Sequence, residues 1–194
     1  EVRMKANVSS QYISALVLMA TKLENGLKLH LEGKITSVPY INMTLSLLEQ
    51  IGVETSFEGQ TINVNPYLET DSKTLTVESD WSSASYFYSI IALSPLGTQV
   101  RLSTYKKDSL QGDAVLKDIY KQMGVETTFE GSKIILKKIN KSLPISIDSD
   151  LANAPDIAQT IVVTCLGLQI QGRLTGLHTL KIKETDRLEA LKSE

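Results

Sequence analysis

The sequence predicts an α/β fold of the α+β kind, assembled from repeated βαβαββ units of about 72 residues with helices inside and sheets outside. Three observations carry that prediction. The string GVETSFEG at Gly52–Gly59 returns as GVETTFEG at Gly124–Gly131, 72 positions later, with seven of eight letters kept. Ser9-Ser10 ahead of an apolar helical pattern recurs as Ser82-Ser83, and a third such pattern begins near Ala154. Within each copy, alternating and helical hydrophobic periods follow one another in the same order. The unit is thus written two and a half times. A third GVE-like segment falls due near residue 196, past Glu194, so the chain reads as a piece of a longer protein.

The first copy opens with KANV as a short strand, then SSQYISALVLMATKL, where Ile13, Leu16, Val17 and Ala20 stand at helical spacing. Ser9 or Ser10 is a natural N-cap, because its hydroxyl accepts from an orphan amide of the first turn. LKLHLEG, Leu27 to Gly33, alternates as a strand does; PYINMTLSLLEQIG follows as a helix, with proline in its first turn and Gly52 as its stop. VETSFE and TINVN close the unit as a hairpin through Gly59-Gln60. The second copy repeats the order with TLTVES, SSASYFYSIIAL, TQVRLST, GDAVLKDIYKQMG, VETTFE and KIILKK. The third gives ISIDSD, APDIAQTIVVTCLGL, RLTGLHTLKI and ETDRLEALKSE, and stops before its hairpin. The first helix of each copy is apolar nearly all round, which asks for burial on most sides, whereas the second helices carry more charge. PYLETDSK, Pro66–Lys73, is the most linker-like stretch.

Composition narrows the function classes. Hydrophobic residues make up 42% of the 194, and 20 basic against 22 acidic residues leave a net charge of -2. Such a balance gives no electrostatic reason to expect nucleic acid or a membrane surface as partner, though a local anion pocket needs only a few cations and amides. Cys165 is the single cysteine, set in IVVTCLGL as a buried thiol, so neither a disulfide framework nor a cysteine zinc cluster is expected. His30 and His178 have no metal-binding spacing, and no metal site is expected. The opening EVRMKANV lacks the organisation of a signal peptide, and a cytoplasmic protein is the expectation.

Candidate functional residues gather at helix starts, where amide N–H groups lack partners. Ser9, Ser10 and Gln11 open the first helix, and Ser37 and Tyr40 flank the start of the second. Hydroxyls and amides at such a place suit a phosphate, and simple capping suits them equally. Ser82-Ser83 has the same local appearance. Asp156, behind Pro155, either stabilises a helix start or serves as a base beside cations. LKIKETDRLEAL is the richest cluster: on a helix, Lys183 and Arg187 share a face and Glu184 lies about 100° round from Lys183. Two cations and an acid there suit an anionic substrate that must be protonated, and a solvated helix start is the competing reading.

The strings NVSSQYISALVLMA, TSVPYINMTL, VESDWSSASYF, SLQGD, APDIAQT and IKETDRLEAL occur in the order seen in the 5-enolpyruvylshikimate-3-phosphate synthase family (3-phosphoshikimate 1-carboxyvinyltransferases), which this sequence resembles along essentially its whole length. The resemblance implies two similar domains, each of three βαβαββ units, with the active site between them. Residues 1–78 would be the last unit of the first domain. Residues 79–194 would be one complete and one truncated unit of the second. It implies transfer of the enolpyruvyl group of phosphoenolpyruvate to the 5-hydroxyl of shikimate 3-phosphate, on the route to chorismate and the aromatic amino acids, with no cofactor. Ser9, Ser10 and Ser37 would hold the 3-phosphate, Tyr40 would line that site, and Gln11 would touch both substrates. Asp156 would act at the 5-hydroxyl and Glu184 would protonate the methylene; Lys183 would contact shikimate 3-phosphate and Arg187 phosphoenolpyruvate. Thr179 stands where the family often has asparagine. The family's N-terminal lysine, serine and arginine, a further arginine, and its C-terminal arginine and lysine have no counterpart in these residues. The piece alone is therefore expected to fold but to be inactive, and its exposed core surface to favour self-association of a chain whose parent is monomeric. Two alternatives stand beside this reading: the related transferase acting on a UDP-amino sugar, and a non-catalytic phosphate-binding fragment.

Overall fold

The computed structural model describes residues 1–6, 9–67, 72–140, 142–182 and 185–194, with backbone alone at position 182. The chain divides into two compact units, Glu1–Thr76 and Val77–Glu194.

In the first unit, β1 (Val2–Lys5), α1 (Ser10–Ala20), β2 (Leu27–Glu32), α2 (Val38–Gln50), β3 (Thr55–Glu58) and β4 (Thr61–Val64) follow in order. The sheet runs β1-β2-β4-β3, with β1 parallel to β2 and the remaining pairs antiparallel. Alternation in β2 buries Leu27, Leu29 and Leu31 and turns Lys28 and Glu32 to solvent. Both helices cover that apolar face: Ile13, Val17 and Ala20 of α1 and Ile41, Leu45 and Leu48 of α2 pack with Leu29, Leu31, Ile62 and Val64. Because β1 and β2 are parallel and each is followed by one helix, α1 and α2 run the same way and open at one edge of the sheet. Ser14 Oγ and Thr44 Oγ1 meet at 2.9 Å across the helix pair. The β3–β4 turn uses Gly59 at φ 58°, a conformation that costs a residue with Cβ more than glycine.

The second unit begins with α3 (Trp81–Leu93) and β5 (Gln99–Ser103). A 3-10 turn, Gly112–Val115, leads into α4 (Leu116–Gln122), and the hairpin β6 (Val125–Glu130) and β7 (Lys133–Lys138) completes a sheet in the order β5-β7-β6. The partial copy supplies β8 (Ser146–Asp150), a 3-10 turn at Pro155–Ile157, α5 (Ala158–Leu168) and β9 (Gln171–Thr175), with β8 and β9 parallel. A 3-10 segment, His178–Ile182, and α6 (Arg187–Ser193) follow. One core joins both copies: Trp81, Tyr88, Tyr120, Met123, Ile134 and Leu136 lie in the same cluster as Ile147, Ile157 and Ile161. Ser85 Oγ meets Thr160 Oγ1 at 2.9 Å, Thr164 Oγ1 meets Ser89 Oγ at 2.8 Å, and Gly167 faces Leu93. Partners advance together, by four and four residues on α3 and by four and three on α5, so the two helices are parallel and start at the same end. A Cβ at Gly167 would come within 2.6 Å of Leu93 Cδ2, so the bare glycine is what admits this close approach.

Three expectations need correction. The opening strand is Val2–Lys5, upstream of most of KANV, because its register to Leu29–Glu32 places it there. TLTVES forms no strand. Among the described residues its only bonds to the end of β5 are those of Ser79, and Leu75 and Val77 stay 37% and 82% exposed, so no sheet face rewards a ladder. The apolar first helices are not buried on most sides within this chain. Each packs on its sheet and neighbouring helices on one side, leaving Tyr86, Ile90, Leu93, Val163 and Leu166 exposed in the second unit and Tyr12, Leu18 and Met19 in the first.

Candidate functional site

The serine-bearing helix starts of the first unit differ from each other. Ser9 caps α1 in an extended conformation (φ -58°, ψ 134°), and its Oγ accepts from the Gln11 amide at 3.3 Å and donates to Gln11 Oε1 at 3.4 Å. Ser9 and Ser10 are half-buried, and Gln11 is exposed. Ser37, at the N-cap of α2, sits in the left-handed region (φ 54°, ψ 36°), is 8% exposed, and makes no capping hydrogen bond with its side chain. A β-carbon at positive φ costs of the order of 1–3 kcal/mol, strain of a kind that gathers at ligand-holding positions. Its carbonyl accepts from the Tyr40 amide at 3.0 Å, the first closed turn of the helix. Since both helices open at one sheet edge, Ser9, Ser10, Gln11, Ser37 and Tyr40 belong to that edge, together with the first-turn amides of both helices.

The look-alike serines of α3 are already occupied. Asp80 caps that helix: its carboxylate accepts from the Ser82 amide at 2.9 Å, from the Ser82 hydroxyl at 2.7 and 2.8 Å, and from the Ser83 hydroxyl at 2.9 Å. Burial favours the protonated acid, but these hydrogen bonds outweigh it and hold the Asp80 carboxyl below the usual aspartate range. The chain's own carboxylate thus sits where an outside anion would bind. DWSS carried that signal, since an aspartate just before a helical pattern is a capping residue.

In the second unit, Asp156 lies in the 3-10 turn entering α5, held there by Pro155. Arg187 is the first residue of α6. Their side chains pair at 3.0 Å, each about a third exposed or less (36% and 26%). Both face a cavity of about 530 Å³ lined also by Tyr86, Ser89, Gln159 and Thr160. The pairing joins residues 31 positions apart, which no sequence periodicity connects. Gln159 and Tyr86 escaped sequence reasoning; both lie on helices whose apolar pattern reads simply as core.

A family model described as EPSP synthase (3-phosphoshikimate 1-carboxyvinyltransferase) matches residues 1–194. The chain belongs to the EPSP synthase family. A 3-phosphoshikimate 1-carboxyvinyltransferase of Bacteroides fragilis is 47% identical over 195 residues, covering 100% of this chain and 47% of the relative. One from Methanosphaera stadtmanae is 33% identical, covering 95% of this chain and 43% of its own length. The chain therefore spans about half the length of the curated relatives it matches. The solved EPSP synthase of Acinetobacter baumannii aligns with 99% of this chain and 44% of its own, at TM-score 0.72 and 20% identity, a likeness of fold.

Two residues of the EPSP synthase motif KETDR, Lys183 and Glu184, lie outside the described residues. The helical phase expected between Lys183 and Arg187 falls outside them as well. Asp186 is the extended N-cap of α6 (φ -71°, ψ 94°), accepting from the Leu188 and Glu189 amides at 3.1 and 3.2 Å, and α6 runs from Arg187. Thr179, where this family member departs from asparagine, is 5% exposed, and its hydroxyl has no partner among the described residues.

Proposed function

We propose that this chain is part of an enzyme that transfers the enolpyruvyl group of phosphoenolpyruvate to the 5-hydroxyl of shikimate 3-phosphate. The observation that carries the reading is the Asp156–Arg187 pair at 3.0 Å on one cavity, in a chain matched from end to end by one family model. A carboxylate held by a guanidinium suits a site that receives an anion. An incoming phosphate or carboxylate takes over Arg187, and Asp156 is then placed to accept a proton.

The reaction proceeds by addition and elimination. Asp156 takes the proton of the 5-hydroxyl as its oxygen bonds to the central carbon of phosphoenolpyruvate, while Glu184 gives a proton to the methylene carbon. The tetrahedral adduct then loses a proton from the new methyl group as the carbon–oxygen bond to phosphate breaks. Ser9, Ser10 and Ser37 hold the 3-phosphate, Tyr40 lines the ring site, and Gln11 reaches both substrates. Lys183 contacts shikimate 3-phosphate and Arg187 holds phosphoenolpyruvate. The scheme takes no cofactor, as its proton transfers need only carboxylates and its charges only cations and amides. Among the described residues no helix is long and apolar enough to cross a membrane. That fact and the single buried Cys165 support a cytoplasmic setting.

The test is phosphate release by the intact natural protein. Release that requires both phosphoenolpyruvate and shikimate 3-phosphate is expected. Turnover with a UDP-amino sugar in place of the shikimate compound would overturn the reading. The 194 residues alone are expected to stay at background, since the relatives are about twice as long.

A further inference from the structure

The chain enters its second unit through a fastened segment. Residues 72–77 are exposed and, among the described residues, make no hydrogen bond to either unit. Glu78, Ser79, Asp80 and Trp81 are each held. The Glu78 carboxylate accepts from Ser109 Oγ at 2.7 Å and from the Lys106 amide at 3.1 Å. Ser79 donates its amide to the Thr104 carbonyl and its hydroxyl to the Ser103 carbonyl at 3.0 Å. Tyr105 Oη donates to the Asp80 carbonyl at 3.2 Å.

Gln111 joins these contacts together. Its Nε2 donates to the Ser79 carbonyl at 3.0 Å and its Oε1 accepts from the Trp81 amide at 2.9 Å, so one carboxamide spans the residues on either side of Asp80. Its own amide donates to Ser109 Oγ at 3.1 Å, the hydroxyl that also holds Glu78. Trp81 opens α3 and its amide is one of the orphan donors of the first turn. Gln111 satisfies that donor and Asp80 the next. The Trp81 ring is fully buried against Tyr105, centroids 5.1 Å apart, so the start of α3 is anchored from the core side as well.

We infer that Gln111, with Glu78 and Ser109, forms a clasp that fixes the entry into the second unit, making Gln111 a positioning residue for the start of α3. The inference rests on the geometry of the second unit and not on the proposed reaction, so either stands if the other fails.

The experiment is amide hydrogen exchange by mass spectrometry on the intact natural protein and on Gln111→Leu. In the variant, peptides covering residues 79–83 are expected to exchange at least tenfold faster, while peptides covering residues 133–138 of β7 keep their rate. Gln111→Glu keeps the acceptor for the Trp81 amide and loses the donor to Ser79, and is expected to fall between the two. A change below twofold at residues 79–83 overturns the clasp, and so does equal loosening of residues 133–138. Should Gln111→Leu not fold, Ser109→Ala, which releases Glu78 and the Gln111 amide, is read by the same criteria.

Discussion

Two aspartates at helix starts have opposite fates in this chain. Asp80 turns inward on its own helix, accepting from Ser82 and Ser83, whereas Asp156 faces a cavity beside Arg187. For Asp80 the expectation is thermodynamic. Asp80→Ala removes the cap of α3 and should cost about 1 kcal/mol of second-unit stability, read by urea unfolding through the fluorescence of Trp81, the only tryptophan. Because hydrogen bonds hold its folded pKa below the unfolded value, Asp80 stabilises the fold fully above about pH 4. The advantage over Asp80→Asn should be present at pH 6 and shrink only as pH falls below about 4, through the lowered folded value. An advantage independent of pH would contradict the hydrogen-bond account. The sequence made SSQY and SSAS look alike; what separates them is the residue in front, and only coordinates reveal that its carboxylate closes the site.

At the scale of elements, the α3–α5 seam is the packing feature on which the second unit depends. Thr164 is fully buried, with its Oγ1 2.7 Å from the Thr160 carbonyl, 2.8 Å from Ser89 Oγ and 2.8 Å from Tyr120 Oη. With one proton to give, it donates to the Thr160 carbonyl or to Ser89 Oγ, and it accepts from the Tyr120 hydroxyl. Thr164→Val keeps the shape but strands the Tyr120 hydroxyl, and should cost about 1–3 kcal/mol by chemical denaturation. Burial pushes Tyr120 up to about 12, so its contribution is complete below about pH 10 and is lost as pH rises through the folded value. Absorbance at 295 nm during alkaline titration should show Tyr120 ionising late, together with loss of structure.

Much at this scale was legible beforehand. Alternation in LKLHLE and the 3.6 period of ISALVLMA report burial directly, and the glycines of both FEG strings mark turns that need positive φ. TLTVES was not legible, because a strand needs a partner edge as well as alternating residues, and its Leu75 and Val77 find no core. In KETDR the periodicity alone does not say where a helix starts; the Asp186 side chain takes the first amides, and α6 runs from Arg187.

Across the whole molecule, the repeat explains both the order and the exposed surface. Each complete copy builds one sheet face and covers it with two helices, and the outer sides of α3 and α5 keep Tyr86, Ile90, Val163 and Leu166 open to solvent. The 194 residues expressed alone are expected to associate through such surfaces. Analytical ultracentrifugation should show association that weakens in the double variant Ile90→Asp, Leu166→Asp; a monomer at high concentration would contradict this.

The reading of the site makes Asp156 a proton acceptor that Arg187 relinquishes to an incoming anion. Its most direct test is the steady-state kinetics of Asp156→Asn in the intact natural protein with both proposed substrates. The account predicts that kcat falls by about 10²–10⁴-fold while KM for each substrate changes little, as expected for a lost general base. A kcat within a few-fold of the unaltered enzyme would contradict it.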